Sequence, residues 1–291
     1  MSSPIAFKEA VNRIVNQLVA DYGDQLHNAS AAILGVVLVP LEQALRALPA
    51  WVVLAAVAAL AWHATRSVWR AALLTALLSL IGLVGLWDPL MQTLSLMIVA
   101  TALSVLIGLP LGVLISRHDR LRAVLLPVLD VMQTLPTFVY LIPVLMLFGL
   151  GKVPAIFATV VYALPPLIRL TDLGIRQVDP ELVEAARSIG ASRWKLLSSV
   201  ELPLALPSIM AGINQTTMMV LSMVVIASMI GARGLGEDVL VGIQTLDFGR
   251  GLQAGIAIVI LAIVVDRITQ GYGRSRWHRS MQREDEGSAQ R

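Results

Sequence analysis

The sequence predicts an all-α membrane protein with about seven spans, preceded by N-terminal amphipathic helices, and three observations carry that reading. Of the 291 residues, 57% are hydrophobic and 14% charged, against about 25% charged in soluble domains. Apolar runs able to cross about 30 Å of hydrocarbon recur near 50–65, 69–87, 91–116, 124–148, 153–171, 204–230 and 251–270. The basic residues also sort by side. If the polar stretch 178–203 is cytoplasmic, alternation places sixteen of the 22 Lys and Arg on that side and six on the other. This bias puts the C-terminus inside and, with seven spans, the N-terminus outside.

Composition excludes several functions. Cysteine is absent and the four histidines are scattered, so no disulfide framework, thiolate nucleophile or spaced metal-ligand cluster is expected. The pI of about 9.6 raises nucleic-acid binding, but the basic residues form no aromatic-interleaved patch, and membrane lipid is the expected surrounding. The opening "MSSPIAFKEAVNRIVNQLVADYGDQ" lacks the basic flank, apolar core and cleavage site of a signal peptide, so no removal is expected.

Residues 1–48 read as amphipathic, interfacial helices. Phe7, Val11, Ile14, Val15 and Leu18 recur at helical spacing, giving a helix over 5–20. Leu34, Leu38, Leu41, Leu45 and Leu48 form a second stripe, opposed by Glu42, Gln43 and Arg46. This second helix is read as lying in the interface or against the bundle. The alternative, an eighth span with the N-terminus inside, would strand an unpaired Glu and Arg in a short span. Residues 49–88 supply two peripheral spans, 89–271 the main transmembrane domain, and 272–291 a polar cytoplasmic tail. Span 4 carries Pro127, Pro136 and Pro143. Each removes a backbone donor, which a membrane tolerates only where neighbours or a wet cavity satisfy the freed carbonyl. Span 4 is therefore expected to face other helices or a pathway.

Catalysis in this chain is not expected. "FGLGKV" holds a Gly-Lys, but Met146 and Val153 stand where a P-loop needs Gly and Ser or Thr. "GARGLGE" at 231–237 lacks a flanking strand and helix and reads as a tight outer turn.

The stretch "VDPELVEAARSIGASRWKLLSSVELP", 178–203, is unlike its apolar surroundings. Asp179 can cap a helix, Pro180 suits the first helical position, and Glu181 and Glu184 sit at the positive dipole end. Gly190 supplies the left-handed residue that ends helices, and Ser192 can cap a second segment running to Pro203. Ala185 and Ala186 allow close approach of another protein, while Glu184 and Arg187 offer charge-assisted contacts. A solvated connecting loop is the competing reading.

"EAARSIGASRWKLLSSVELP" resembles the EAA motif of ABC-importer permeases: Glu184, Ala185, Ala186, then Gly190, Val200, Leu202 and Pro203 at the motif's spacing. "PVLDVMQTLPTFVYLIPVLMLFGLG", "YALPPLIRLTDLGIRQV", "LPSIMAGINQTTMMVLSMVVIASMIG" and "GIAIVILAIVVDRITQ" are similar to the ProW/OpuAB type, permeases of glycine betaine and proline betaine importers. The resemblance covers about 50–270. It implies a type I ABC importer transmembrane domain whose coupling helix carries Glu184, Ala185, Ala186, Arg187 and Gly190. It also implies a cytoplasmic ABC ATPase dimer, a second permease copy and a separate extracytoplasmic substrate-binding protein. No cofactor is expected in this chain; ATP and Mg would sit in the partner ATPase. The implied site is the bacterial inner membrane and the implied task osmoprotectant uptake. A permease for choline, carnitine or another quaternary amine would share these motifs. A secondary transporter would have no reason for a capped EAA loop.

Candidate pathway residues are Asn214, Met218 and Ser222, on one face of span 6, and Gln133, Thr134 and Tyr140 on span 4. A zwitterion with a quaternary ammonium favours aromatic faces and neutral dipoles. An interhelical hydrogen bond is the alternative role for Asn214. Asp130 and Arg169 read as a structural pair.

Overall fold

The computed structural model describes residues 34–288, with side chains to Tyr272, and the isolated helical positions Glu9, Arg13 and Gln17. The rest of the expected helix over 5–20 lies outside the described residues. The chain is helical throughout the described part. A π-helical turn, Leu34–Leu38, leads into α1 (Val39–Ala47), followed by α2 (Ala50–Thr65), α3 (Val68–Leu83), α4 (Trp87–Arg117) and α5 (Asp119–Thr134). A 3-10 turn, Thr137–Tyr140, precedes α6 (Leu141–Phe148), after which come α7 (Lys152–Arg176), α8 (Pro180–Ser188), α9 (Arg193–Leu196) and α10 (Leu202–Ala227). A turn at Gly231–Gly234 opens α11 (Leu235–Thr245), and α12 (Phe248–Ser288) ends the order.

α7 is the central helix. It packs chiefly on α4 and α10, and 67% of its apolar window is buried against 22% for α12. Missing side chains make the close approach possible. A Cβ on Gly112 of α4 would meet Cβ of Thr171 at 2.5 Å, and one on Gly174 of α7 would meet Cβ of Ser208 at 2.6 Å. Small residues at crossings let helix backbones gain dispersion contacts where lipid offers no hydrophobic drive.

Four helical stretches cross by length and composition: α4, α7, Arg193–Ile230 and Phe248–Tyr272. α3 is apolar but shorter, and two bent helix pairs are long and apolar enough to cross if each counts as one span. One covers the expected span 124–148. Its two legs, Asp119–Thr134 and Thr137–Phe148, are bent by 113° at the break. Pro136 explains the corner, because a proline disfavours helical backbone in the residue before it, and Leu135 is extended (φ −67°, ψ 136°). The other is Gly35–Ala47 with Ala50–Thr65, at 106°.

α1 corrects one reading. Glu42, assigned to a polar face, is buried. Lys152 Nζ donates to both of its carboxylate oxygens, at 2.7 and 2.6 Å. Arg46 Nε reaches Asp88 Oδ1 at 2.5 Å, and its Nη1 lies 3.8 Å from Glu42 Oε1. Of the apolar stripe, Leu38 is fully buried and Leu41 and Leu45 pack on the main core, while Leu48 is exposed. The polar segment after residue 271 continues the α12 backbone to Ser288.

Candidate functional site

The most exposed ordered feature between two long spans is α8, of which no residue is buried. Its boundaries are local chemistry. The Asp179 side chain accepts from the backbone N–H of Glu181 at 2.9 Å, Pro180 occupies the first position, and Glu181 lies in the first turn. At the other end Gly190 takes φ +84°. The N–H of Ala191 then reaches back to the carbonyl of Ala186 at 3.1 Å, and that of Gly190 to Arg187 at 2.9 Å. This is the six-to-one closure that a left-handed glycine permits. Ser192 caps the return, accepting from Lys195 N–H at 3.3 Å. From Arg193 the chain is helical through a π-helical turn, Leu197–Glu201, into α10.

Glu184, Ala185, Arg187 and Gly190 are exposed and Ala186 is half-buried. Around them stand large apolar side chains that sequence reasoning did not single out: Leu182 (49% exposed), Ile189 (88%) and Trp194 (73%). Leu182 and Ile189 on or just past α8 and Trp194 at the start of the return helix are large exposed apolar side chains among charged neighbours, the composition of a docking surface. The available signal was an apolar triplet in an otherwise polar loop. Beneath α8 a cleft of about 740 Å³ is lined by Arg117, Arg176, Glu184, Arg187 and Glu201, among others.

Charge pairs anchor this region to the bundle. Arg117, the last residue of α4, pairs with the buried Glu201. Asp172, buried in α7, accepts from Arg122 Nε at 2.8 Å and Arg176 Nε at 3.0 Å. Arg176 Nη2 also donates to Asp119 at 2.6 Å. Arg169 pairs with Asp130, as the sequence suggested.

The proposed pathway residues occupy different surroundings. Asn214 is committed between helices: its Nδ2 donates to Asp266 Oδ1 at 3.1 Å, and its Oδ1 accepts from the Thr269 hydroxyl. These are interhelical hydrogen bonds of the kind the sequence offered as the alternative. Ser222, exposed, donates to its own helix at the carbonyl of Met218, 3.0 Å away. Gln133 and Thr134 are exposed at the α5 corner, Thr134 donating to the carbonyl of Val131 at 3.0 Å. Tyr140 differs from expectation. It is buried, its ring lies edge-on to Tyr162 with centroids 5.7 Å apart, and its hydroxyl donates to the carbonyl of Met132. A helix would satisfy that carbonyl with the N–H of residue 136, which is proline. Tyr140 replaces the missing donor.

Residues 104–277 match the family model for the binding-protein-dependent transport system inner membrane component. The chain belongs to that family. It is a multi-pass inner-membrane transport subunit and not an enzyme. It is 49% identical to the glycine betaine/proline betaine transport system permease protein ProW of Escherichia coli, over 83% of this chain and 68% of that one. It is 41% identical to the glycine betaine transport system permease protein OpuAB of Bacillus subtilis, over 91% of this chain and 94% of that one. It is 50% identical to the glycine betaine/carnitine transport permease protein GbuB of Listeria monocytogenes, over 68% of this chain and 70% of that one. The fold matches an inward-facing MetNI methionine ABC transporter with a TM-score of 0.57 at 22% identity, over 64% of this chain and 93% of that one. The fold is that of a type I ABC importer permease.

Proposed function

We propose that this chain is the permease subunit of an ATP-driven importer for glycine betaine, proline betaine and related quaternary amines. The observation that carries the coupling role is α8: a capped, unburied helix bearing Glu184, Ala185, Ala186, Arg187 and Gly190, with Ile189 and Trp194 open beside it. Such a helix fits a cleft on a cytoplasmic ATPase dimer, which would hold ATP and Mg. Two copies of this chain would assemble with that dimer, and a separate binding protein would deliver solute at the opposite face. In this arrangement the end carrying 178–203 and the C-terminus are cytoplasmic, and the N-terminus is outside. Closure of the ATPases moves α8, and the bundle changes which side it opens to; the chain alters access and does no chemistry.

The substrate class rests on the relatives, whose names include both betaines and carnitine. Within the chain, the exposed polar residues at the α5 corner, Gln133 and Thr134, are the better pathway candidates, with Met218 and Ser222 second. Across the boundary at residue 48, Glu42 of α1 is ion-paired to Lys152 of the main domain.

Reconstitution in liposomes with the partner ATPase and binding protein tests the proposal. ATP-dependent uptake of labelled glycine betaine, competed by proline betaine or carnitine, is the expected result. Uptake driven by an ion gradient through this chain alone, with no ATPase present, overturns it.

A further inference from the structure

The chain on both sides of α8, from the last turns of α7 to the π-helical turn before α10, is tied to one short elbow, the junction of α4 and α5. At its start, in the last turns of α7, Asp172 is 2% exposed and accepts from Arg122 of α5 and Arg176 of α7 at 2.8 and 3.0 Å. Arg176 extends the tie, donating to Asp119 at 2.6 Å and to the carbonyl of Ile115 at 3.3 Å. At its end, Glu201, 5% exposed, pairs with Arg117. Residues 115–122 thus hold both ends of a segment whose middle, α8, has no buried residue.

Burial decides what these ties can do. Exposed ion pairs break and re-form readily, whereas the carboxylates of Asp172 and Glu201 are 3% and 7% exposed. A buried carboxylate that loses its cation is strongly destabilised, so each tie moves as a unit with its partner helix. We propose that Arg117–Glu201 and Asp172–Arg122–Arg176 are positioning pairs that carry displacement of α8 into α4 and α5 together. α5 then acts as the lever: Gln133 lies fourteen residues past Asp119, about 21 Å along a helix. This deepens the coupling reading and rests on it.

The test uses the full complex with ATPase and binding protein. Three quantities are read: co-purified ATPase, basal hydrolysis, and hydrolysis stimulated by solute-loaded binding protein. Glu201→Gln is expected to retain the ATPase while the stimulated-to-basal ratio falls at least about tenfold. Because the chain has no cysteine, Arg117→Cys/Glu201→Cys can be joined by a short bis-maleimide within one folded sample. Coupling is expected to be low before joining and to recover at least half of the unmodified value after it. Unchanged stimulation in Glu201→Gln, loss of ATPase binding in that variant, or no recovery on joining overturns the proposal. An unmodified complex with no stimulation at all overturns the coupling reading beneath it; normal stimulation there, with failure only in the joined pair, overturns the positioning role alone.

Discussion

Tyr140 gives its hydroxyl proton to the carbonyl oxygen of Met132, the acceptor that Pro136 leaves without its helical donor. An unpaired carbonyl in hydrocarbon is costly, so the corner between α5 and α6 depends on a side chain four residues beyond the proline. Tyr140→Phe is expected to lower stability by about 1–3 kcal/mol, read as thermal unfolding in detergent. Pro136→Ala in the same chain should restore a donor N–H and recover most of that loss. A Phe variant as stable as the parent would remove this role.

The apolar face beside α8 should dominate ATPase affinity, because buried aromatic anchors carry interface energy. Trp194→Ala and Ile189→Asp are each expected to weaken ATPase binding by about 2 kcal/mol or more, roughly thirtyfold, in a titration of purified subunits. Glu184→Lys should leave insertion and assembly intact yet abolish solute-stimulated hydrolysis. Wild-type coupling in that variant would remove α8 from the mechanism.

Gly190 has open space around the position of a Cβ, so only its left-handed backbone resists substitution. Gly190→Val is expected to cost about 1–2 kcal/mol locally and to reduce stimulated hydrolysis several-fold without changing membrane insertion. Gly190→Asn, which tolerates that backbone better, should be milder. Equal effects of the two would point to packing rather than backbone geometry.

Asn214 and Gln133 separate structure from pathway. Asn214→Leu should lower stability by about 0.6–2 kcal/mol for a lost interhelical bond, read as a lower unfolding temperature, with the KM for uptake unchanged. Gln133→Ala should raise that KM and leave stability alone. The reverse pattern would return Asn214 to the pathway.

What the sequence made legible was local. Asp179, Pro180, Gly190 and Ser192 act within a few residues of themselves, and the caps and termination of α8 follow from them directly. The three prolines of span 4 announced bending, but which one would make a 113° corner depends on whether a neighbour such as Tyr140 can satisfy the freed carbonyl. Partners far apart in sequence were mostly invisible. Glu42 pairs with a lysine 110 positions away, and Glu201 with an arginine 84 away. Helical periodicity assigns Glu42 to a polar face and leaves Glu201 unremarked, and only tertiary contact shows each beside a cation. Asp130 and Arg169 were readable as a pair because both lie near the same end of adjacent spans.

The family match begins at residue 104, well after α1, which suggests at first that the leading helices can be dispensed with. Lys152, inside the matched region, answers to Glu42 outside it. A chain shortened to the matched region would begin α7 with its first cation stripped of its partner, the counter-ion discarded with the leader. The stretch that identifies the family is thus shorter than the stretch that keeps its charges paired.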